Sequence, residues 1–353
     1  MALYDYGNTR LRARISRLLP IQMLESFSDL TSIDSLISAL TKTPIKSSIE
    51  TALTYAHGYG CIVEAMRREL GSVVTDLSRY YEGDVLAHVN MIFKRIDLLN
   101  IKALLRGLAH ETSIEVITDS FSPLGTIPNT ALIQIAKSKD VYDAINRILI
   151  FELPMAQVLM EIKASHQELS ATLIELTLER WYFEQVKQDL KGSGEEMRIL
   201  REYYAIEADI INLNNILRFV EASDAYADIE EDLQTYLIEP GSISMRTLLS
   251  LSKKGSAEEV IRVLLTSKFG RNFQIALTCY ADTRQLSEFE NQMRMYALEW
   301  LARLPKQNPL GIGVPLGYFA LKRSEVRNLH WIAKGIHSGF EPAYIKENLE
   351  RAQ

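Results

Sequence analysis

Apolar residues recur every three or four positions along almost the whole chain, which is the spacing of one face of an α-helix. The longest such stretch lies near the C-terminus, where Pro315 can open a helix and Gly339 can close it in a left-handed cap. Strand patterns are nearly absent, because the sequence has no Asn-Gly hairpin and little alternation of apolar and polar residues. The sequence therefore predicts an all-α fold.

The C-terminal helix carries a polar pattern that occurs four times in the chain: an acid, an asparagine three residues later and a base nine residues after the acid. We name these positions the marker residues. The four sets are Asp5, Asn8 and Arg14; Asp97, Asn100 and Arg106; Asp209, Asn212 and Arg218; and Glu325, Asn328 and Lys334. The four sets delimit three intervals of similar length along the chain. Because self-similarity at a long, roughly fixed period indicates a repeated supersecondary module, this pattern predicts three related helical units.

We place these units at residues 1–112, 113–222 and 223–353 and expect three similar helical bundles in a pseudo-threefold arrangement. Each unit is predicted to contain a short helix, a longer helix and a marker helix. The short helices begin where a serine precedes an acid by two residues, at Ser32, Ser138 and Ser256, because the serine hydroxyl can cap free N–H groups. The longer helices are predicted to carry Glu50, Glu175 and Glu290.

The marker residues leave two interpretations open. An acid and an asparagine three residues apart lie on the same helix face and can share a partner, whereas the base points to the opposite side. In the first interpretation, the acid and asparagine tie neighbouring bundles together and the base interacts with the negative end of the helix dipole. In the second, these polar groups line a central surface that receives another protein.

Composition narrows the function classes. The 353 residues are 47% hydrophobic and 24% charged, which is ordinary for a globular protein, and the net charge of −6 argues against nucleic-acid binding. One basic cluster, at Arg10, Arg12, Arg14 and Arg17, is either a solvated helix face or a docking surface for an acidic partner. Two isolated cysteines indicate reduced, buried thiols. No stretch approaches the ~20 apolar residues of a membrane-spanning helix and no signal peptide is evident, so we expect membrane contact only through another protein.

Motifs for catalysis and ligand binding are missing from the sequence. It has no glycine-rich phosphate loop, no Gly-x-Ser-x-Gly nucleophile elbow and no His-x-x-x-His metal pair. His330 and His337 are two helical turns apart and could approach a metal, but a packing or solvent-facing role is the default. We therefore predict no catalytic, cofactor-binding or metal-binding residues, which leaves the twelve marker residues as candidates for contacts between units or with a partner.

The marker helices and their order resemble the C subunit of the archaeal and bacterial A/V-type ATPases, the counterpart of the d subunit in eukaryotic vacuolar ATPases. The resemblance is carried by residues 4–13, 176–183, 209–218 and 315–339. It implies a funnel of three helical bundles, peripheral on the cytoplasmic face of the membrane, with no active site and no bound nucleotide. It also implies a rotor socket that links the central stalk to the proteolipid ring and transmits torque for proton or sodium transport. The alternative is a helical-repeat scaffold unrelated to the motor.

Overall fold

The computed structural model describes residues 4–166, 168–221, 237–239, 241–266 and 270–351. These residues form eighteen helices and contain no strand, which confirms the predicted all-α fold. In chain order the helices are α1 (Asp5–Ile15), α2 (Ile21–Phe27), α3 (Ile33–Leu40), α4 (Lys46–Ala52), α5 (Gly58–Tyr80), α6 (Gly83–Ala109), α7 (Ile114–Asp119), α8 (Asn129–Ala136), α9 (Val141–Ile150), α10 (Ala156–Ser165), α11 (Ala171–Asp189), α12 (Glu195–Glu221), α13 (Met245–Ser252), α14 (Ala257–Thr266), α15 (Gly270–Thr283), α16 (Leu286–Gln307), α17 (Gly313–Ser338) and α18 (Pro342–Glu347).

Two compact units divide the chain. The first comprises Met1–Phe93, Ser122–Gly125 and Leu298–Gln353, and the second comprises Lys94–Phe121 and Thr126–Ala297. Two of the four divisions fall within α6 and α16, and the other two fall between α7 and α8. Three related units, bounded near residues 112 and 222, therefore remain a prediction.

In the first unit, helices from both ends of the chain share one hydrophobic core. Apolar residues of α2 to α5, including Leu36, Ile49 and Ile62, pack with Leu329 and Ile332 of α17, and all five side chains are fully buried. The apolar stripe of α17 needs this cover, because a helix with one apolar face is stable only when that face is removed from water. The core of the N-terminal helices is thus completed by a helix that the predicted boundaries assign to the third unit.

The second unit contains two runs of helices that follow each other in the chain. Helices α8, α9, α10 and α11 pack in sequence, each against the next. Helices α13 to α16 share a core with α12, in which Leu217, Val260, Leu277 and Phe289 are fully buried. Together with α2 to α5, these runs show three shorter helices followed by a longer one three times along the chain.

The predicted serine caps are confirmed at two of three positions. Ser35 donates its N–H to Ser32 Oγ at 3.2 Å, and Glu259 donates its N–H to Ser256 Oγ at 3.3 Å. At the third position the prediction was wrong, because Asp140 and not Ser138 caps α9 and accepts the N–H of Asp143 at 2.8 Å. A carboxylate accepts this hydrogen bond as readily as a hydroxyl does, and its negative charge is favourable at the positive end of the helix. The capping residue is therefore Asp140, two residues after Ser138.

Two predicted helix boundaries were also wrong. Glu50 lies in the seven-residue helix α4, because the chain is extended at His57 and the longer helix α5 starts only at Gly58, whose φ is +55°. The C-terminal helix α17 starts at Gly313, two residues before Pro315, where the sequence placed its start. Glu175 on α11 and Glu290 on α16 do lie on long helices, as predicted.

Close helix packing at Gly317 gives a test of this fold. A β-carbon added there would overlap the ring of Pro305 and lie 3.0 Å from the carbonyl oxygen of Leu301, so we expect Gly317→Ala to destabilise the protein by about 1–3 kcal/mol. Gly71→Ala is the control, because a β-carbon at this helical position meets nothing within 4 Å and should stabilise α5 by up to about 1 kcal/mol. Urea unfolding measures both, and equal effects would contradict the packing of α17 against α16.

Candidate functional site

Three of the four marker acids are buried carboxylates that accept hydrogen bonds from backbone N–H groups. Each donor lies two residues before the first helical residue of a run of helices, namely α2, α8 or α13. The bonds are Leu19 N–H to Glu325 Oε1 (2.7 Å), Ile127 N–H to Asp97 Oδ1 (2.9 Å) and Ile243 N–H to Asp209 Oδ1 (3.1 Å). The same marker position therefore fixes the start of each run.

Further donors complete the coordination of these carboxylates. Thr126 donates its hydroxyl to Asp97 Oδ2 at 2.5 Å, Ser242 donates both its N–H (3.0 Å) and its hydroxyl to Asp209, and Lys322 Nζ donates to Glu325 Oε2 at 2.6 Å. Burial raises the pKa of Asp97 and of Asp209, and the hydrogen bonds to each carboxylate oppose that rise. These acids are engaged with the protein itself, although burial disfavours their charged form.

Two marker asparagines use the whole side-chain amide to bind the backbone of one residue. Asn212 donates to the carbonyl of Ile238 at 2.9 Å and accepts its N–H at 2.8 Å. Asn328 makes the same pair of bonds with Glu350, at 2.9 and 2.8 Å. Asn100 is likewise buried. In the sets on α12 and α17, the acid and its asparagine thus bind different residues and do not share one partner.

The first marker set differs from the others. Asp5 is exposed at the start of α1, where its charge meets the positive helix end. Asn8 is buried, donates to the carbonyl of Gly311 at 3.0 Å and accepts the hydroxyl of Tyr81 at 2.6 Å. Arg14 pairs with Asp76 on α5 at 2.9 Å. This set therefore attaches α1 to its neighbours without fixing the start of a run.

The marker bases pair with acids of the long helices in the second unit. Arg106 forms a bidentate pair with Glu175, with bonds of 2.5 and 2.7 Å, and Arg218 pairs with Glu290. These are the glutamates that the sequence placed at matching positions of two long helices, but the sequence did not reveal that the marker bases are their partners. Lys334 is exposed.

Both arginines of these pairs lie in one polar cleft between α6, α11 and α12 of the second unit. The polar cleft has a volume of about 430 Å³ and is lined by Lys102, Arg106, His110, Ala171, Thr172, Glu175, Leu176, Glu179, Ile211, Asn214, Asn215 and Arg218. Sequence reasoning singled out Arg106 and Arg218 but did not bring them together. Lys102, Arg106 and His110 are spaced by four residues, which is typical of one helix face, and this pattern could have indicated such a surface.

Two residues that line the polar cleft, Lys102 and Glu179, belong to a buried ion network. Glu179 on α11 pairs with Arg95 and, at 2.5 Å, with Lys102, while Arg95 also lies 3.4 Å from Glu207 on α12. Burial alone would raise the pKa of Glu179, but the charges of Arg95 and Lys102 outweigh it and lower this pKa. Burial would conversely lower the pKa of Arg95, and the two glutamates raise it. The network thus joins α6, α11 and α12 through ion pairs.

Other candidate groups are packed or isolated. Tyr59 lies between the two histidines considered for a metal: its hydroxyl is 3.1 Å from His330 Nε2 and its ring stacks on His337 at a centroid distance of 4.9 Å. Within the described ranges, no group of three or more His, Cys, Asp or Glu side chains is placed to hold a metal ion, and no helix is long and apolar enough to cross a membrane. Cys61 and Cys279 are both free thiols, the first buried and the second only partly so.

Comparison with known proteins gives a match along most of the chain. The model of the ATP synthase (C/AC39) subunit family matches residues 7–348. Similar proteins include the C subunit of the A-type ATP synthase of Methanocaldococcus jannaschii, 24% identical over 99% of this chain and 86% of the relative, and that of Haloquadratum walsbyi, 24% identical over 97% of both chains. The same subunit of the Methanosarcina mazei A-type ATP synthase is 25% identical over 98% of this chain and 92% of the relative.

The buried carboxylates predict unequal effects of substitution at equivalent marker positions. Asp209→Ala removes the acceptor for the N–H groups of Ser242 and Ile243, so we expect a loss of about 2–4 kcal/mol in the free energy of unfolding. Asp5→Ala is the matched control and should cost less than about 1 kcal/mol, because Asp5 only faces the helix dipole from an exposed position. Chemical denaturation of both variants measures the difference, and similar losses would contradict it.

The ion network predicts a pH-dependent loss of stability. We expect Glu179→Gln to cost about 3–5 kcal/mol near pH 7, because Arg95 and Lys102 lose their buried counter-charge. The folded pKa of Glu179 lies below its ordinary value of 4.5, so this carboxylate stabilises the protein above pH 4.5. That contribution disappears as the pH falls through the folded pKa, and the difference between wild type and variant should shrink there.

Urea unfolding between pH 3 and 8 at constant ionic strength measures this difference. Glu184→Gln on the same helix is the control, because Glu184 pairs with Arg180 on an exposed surface and should contribute less than about 1 kcal/mol at any pH. A difference for Glu179→Gln that stays constant down to pH 3 would contradict the lowered pKa.

Proposed function

The chain belongs to the ATP synthase (C/AC39) subunit family, and from this premise we propose that it is a non-catalytic rotor subunit of a V/A-type ATPase. In this proposal the protein is a socket between the central stalk and the membrane proteolipid ring, peripheral on the cytoplasmic face. It transmits torque for ATP-coupled proton or sodium transport. The observation that carries the proposal is the family match over residues 7–348, together with relatives from A-type ATP synthases that cover nearly all of the chain.

The internal bonding of the protein suits a mechanical role. A part that transmits torque must resist deformation, and close-packed helices with few voids have low compressibility. The buried marker acids and asparagines add directional bonds between helices and the backbone segments beside them. Each of these bonds is made within the chain, so the marker helices need no ligand to hold their places.

Proposed partners are the proteolipid ring and the central-stalk subunits, with no nucleic acid and no nucleotide bound by this chain itself. The overall charge of −6 supports the exclusion of nucleic acid, because such binding requires a cationic surface that displaces counterions. Choice of the transported ion would belong to the ring. The remaining alternative, a helical-repeat scaffold outside the motor, would bind neither of these partners.

Affinity capture from native membranes tests the proposed function. The full chain serves as bait in detergent-solubilised membranes of its host, shown beforehand to contain the intact ATPase, and captured proteins are identified by mass. We expect the proteolipid and central-stalk subunits together. An unrelated all-α protein of similar charge, used as bait in the same way, is the control. Recovery of neither partner from these membranes would assign the chain to the scaffold alternative.

Salt dependence is a second expectation of the rotor role. If charged surfaces contribute to docking, the dissociation constant of the complex with the purified central stalk should rise about tenfold between about 0.05 and 0.5 M salt, because ions screen exposed charges. Titration calorimetry at several salt concentrations measures this rise. An affinity independent of salt would exclude a charged interface while leaving the family membership unchanged.

A further inference from the structure

The polar cleft between α6, α11 and α12 presents more hydrogen-bond donors than acceptors. Its two carboxylates are already used within the protein: Glu175 accepts a bidentate bond from Arg106, and Glu179 pairs with Arg95 and Lys102. The amide groups of Asn214 and Asn215 and the hydroxyl of Thr172 add uncharged donors to the lining. The group that this cleft suits is therefore an anion.

Two arginines can still reach such an anion. The side chains of Arg106 and Arg218 are 54% and 49% exposed, although each also pairs with a glutamate. A guanidinium carries five N–H donors, and the bonds to Glu175 and Glu290 leave several of them free to bind a carboxylate. Exposed His110 also lines the cleft, directly after the last residue of α6. The basic groups thus converge from two helices on one opening.

The rest of the lining favours a protein segment over a free anion. Ala171, Leu176 and Ile211 contribute apolar surface, which a small inorganic anion does not use. A polypeptide supplies carboxylates, apolar side chains and N–H donors together, whereas an inorganic anion supplies mainly acceptors.

We propose that the polar cleft docks a carboxylate-bearing segment of the central stalk. This inference rests on the proposed function and adds to it the surface and the chemistry of contact. Of the two proposed partners, the stalk fits better, because the cytoplasmic loops of membrane proteins carry an excess of lysine and arginine, which the arginines of this cleft would repel.

Charge substitutions at the mouth of the cleft test the proposal. Arg218→Glu reverses one cleft charge, and Arg180→Glu is its control: Arg180 lies on α11, does not line the cleft and has a similarly exposed side chain, 47% against 49%. Because Arg218→Glu also breaks the pair with Glu290, Thr172→Glu adds a negative charge without removing an ion pair. Thr172 is the second residue of α11, where an acid favours the helix, and Thr172→Gln is the uncharged control.

Binding of each folded variant to the purified central-stalk subunits is measured by titration calorimetry. We expect Arg218→Glu and Thr172→Glu to raise the dissociation constant at least about tenfold, with the two controls within about threefold of wild type. If wild type binds the stalk and both cleft variants bind equally well, the cleft proposal is overturned and the proposed function stands. If wild type itself does not bind the stalk, both proposals are overturned.

A free anion in the cleft is the remaining outcome. Inorganic phosphate is added to wild type and to Arg218→Glu without the stalk, and thermal unfolding is followed. Stabilisation by phosphate that is lost in Arg218→Glu, with stalk affinity unchanged, would assign the cleft to a small anion and overturn the proposal. The expected result is an unfolding temperature that phosphate shifts equally in both proteins.

Discussion

The bond on which this fold depends is that between a buried carboxylate of a long helix and a backbone N–H group just before the first helix of a run. Both groups are costly to bury alone, because a desolvated carboxylate and an unpaired amide each lose their bonds to water. A hydrogen bond between the carboxylate and the N–H group offsets both desolvation costs. Asp97, Asp209 and Glu325 make this bond at equivalent marker positions. The start of each run of helices is therefore attached to a defined residue of a long helix.

The bond of Glu325 also explains why the first compact unit contains both ends of the chain. Leu19 and Glu325 are in contact although 306 positions separate them in sequence. Asn328, on the same face of α17 as Glu325, binds the backbone of Glu350. The N-terminal helices α2 to α5 therefore gain their core only when α17 is in place. Closing so long a loop costs conformational entropy, but that cost grows only logarithmically with loop length, so a shared core can offset it.

The sequence was sufficient for the fold class and for the marker pattern, because helical periodicity and a spaced set of polar residues are properties of local sequence. It was not sufficient for the partners. Asp209 and Asn212 bind backbone groups. Because almost every residue carries the same backbone N–H and carbonyl groups, the sequence does not reveal which residue is the partner. The polar cleft was missed for a related reason: Arg106 and Arg218 are more than one hundred residues apart, and only tertiary packing brings them to one opening.

In each marker set of the second unit, the acid and the base lie on different sides of the helix and have different roles. The acid, and in α12 also the asparagine, is used up by bonds inside the protein, so these groups contribute rigidity and have nothing left to offer a partner. The base, nine residues after the acid, stays partly exposed and keeps unused donors. Force applied to such a base would pass into a helix already fixed by its own buried bonds. Little energy would then be lost in rearranging the site, because the charged groups are held in place before any partner arrives.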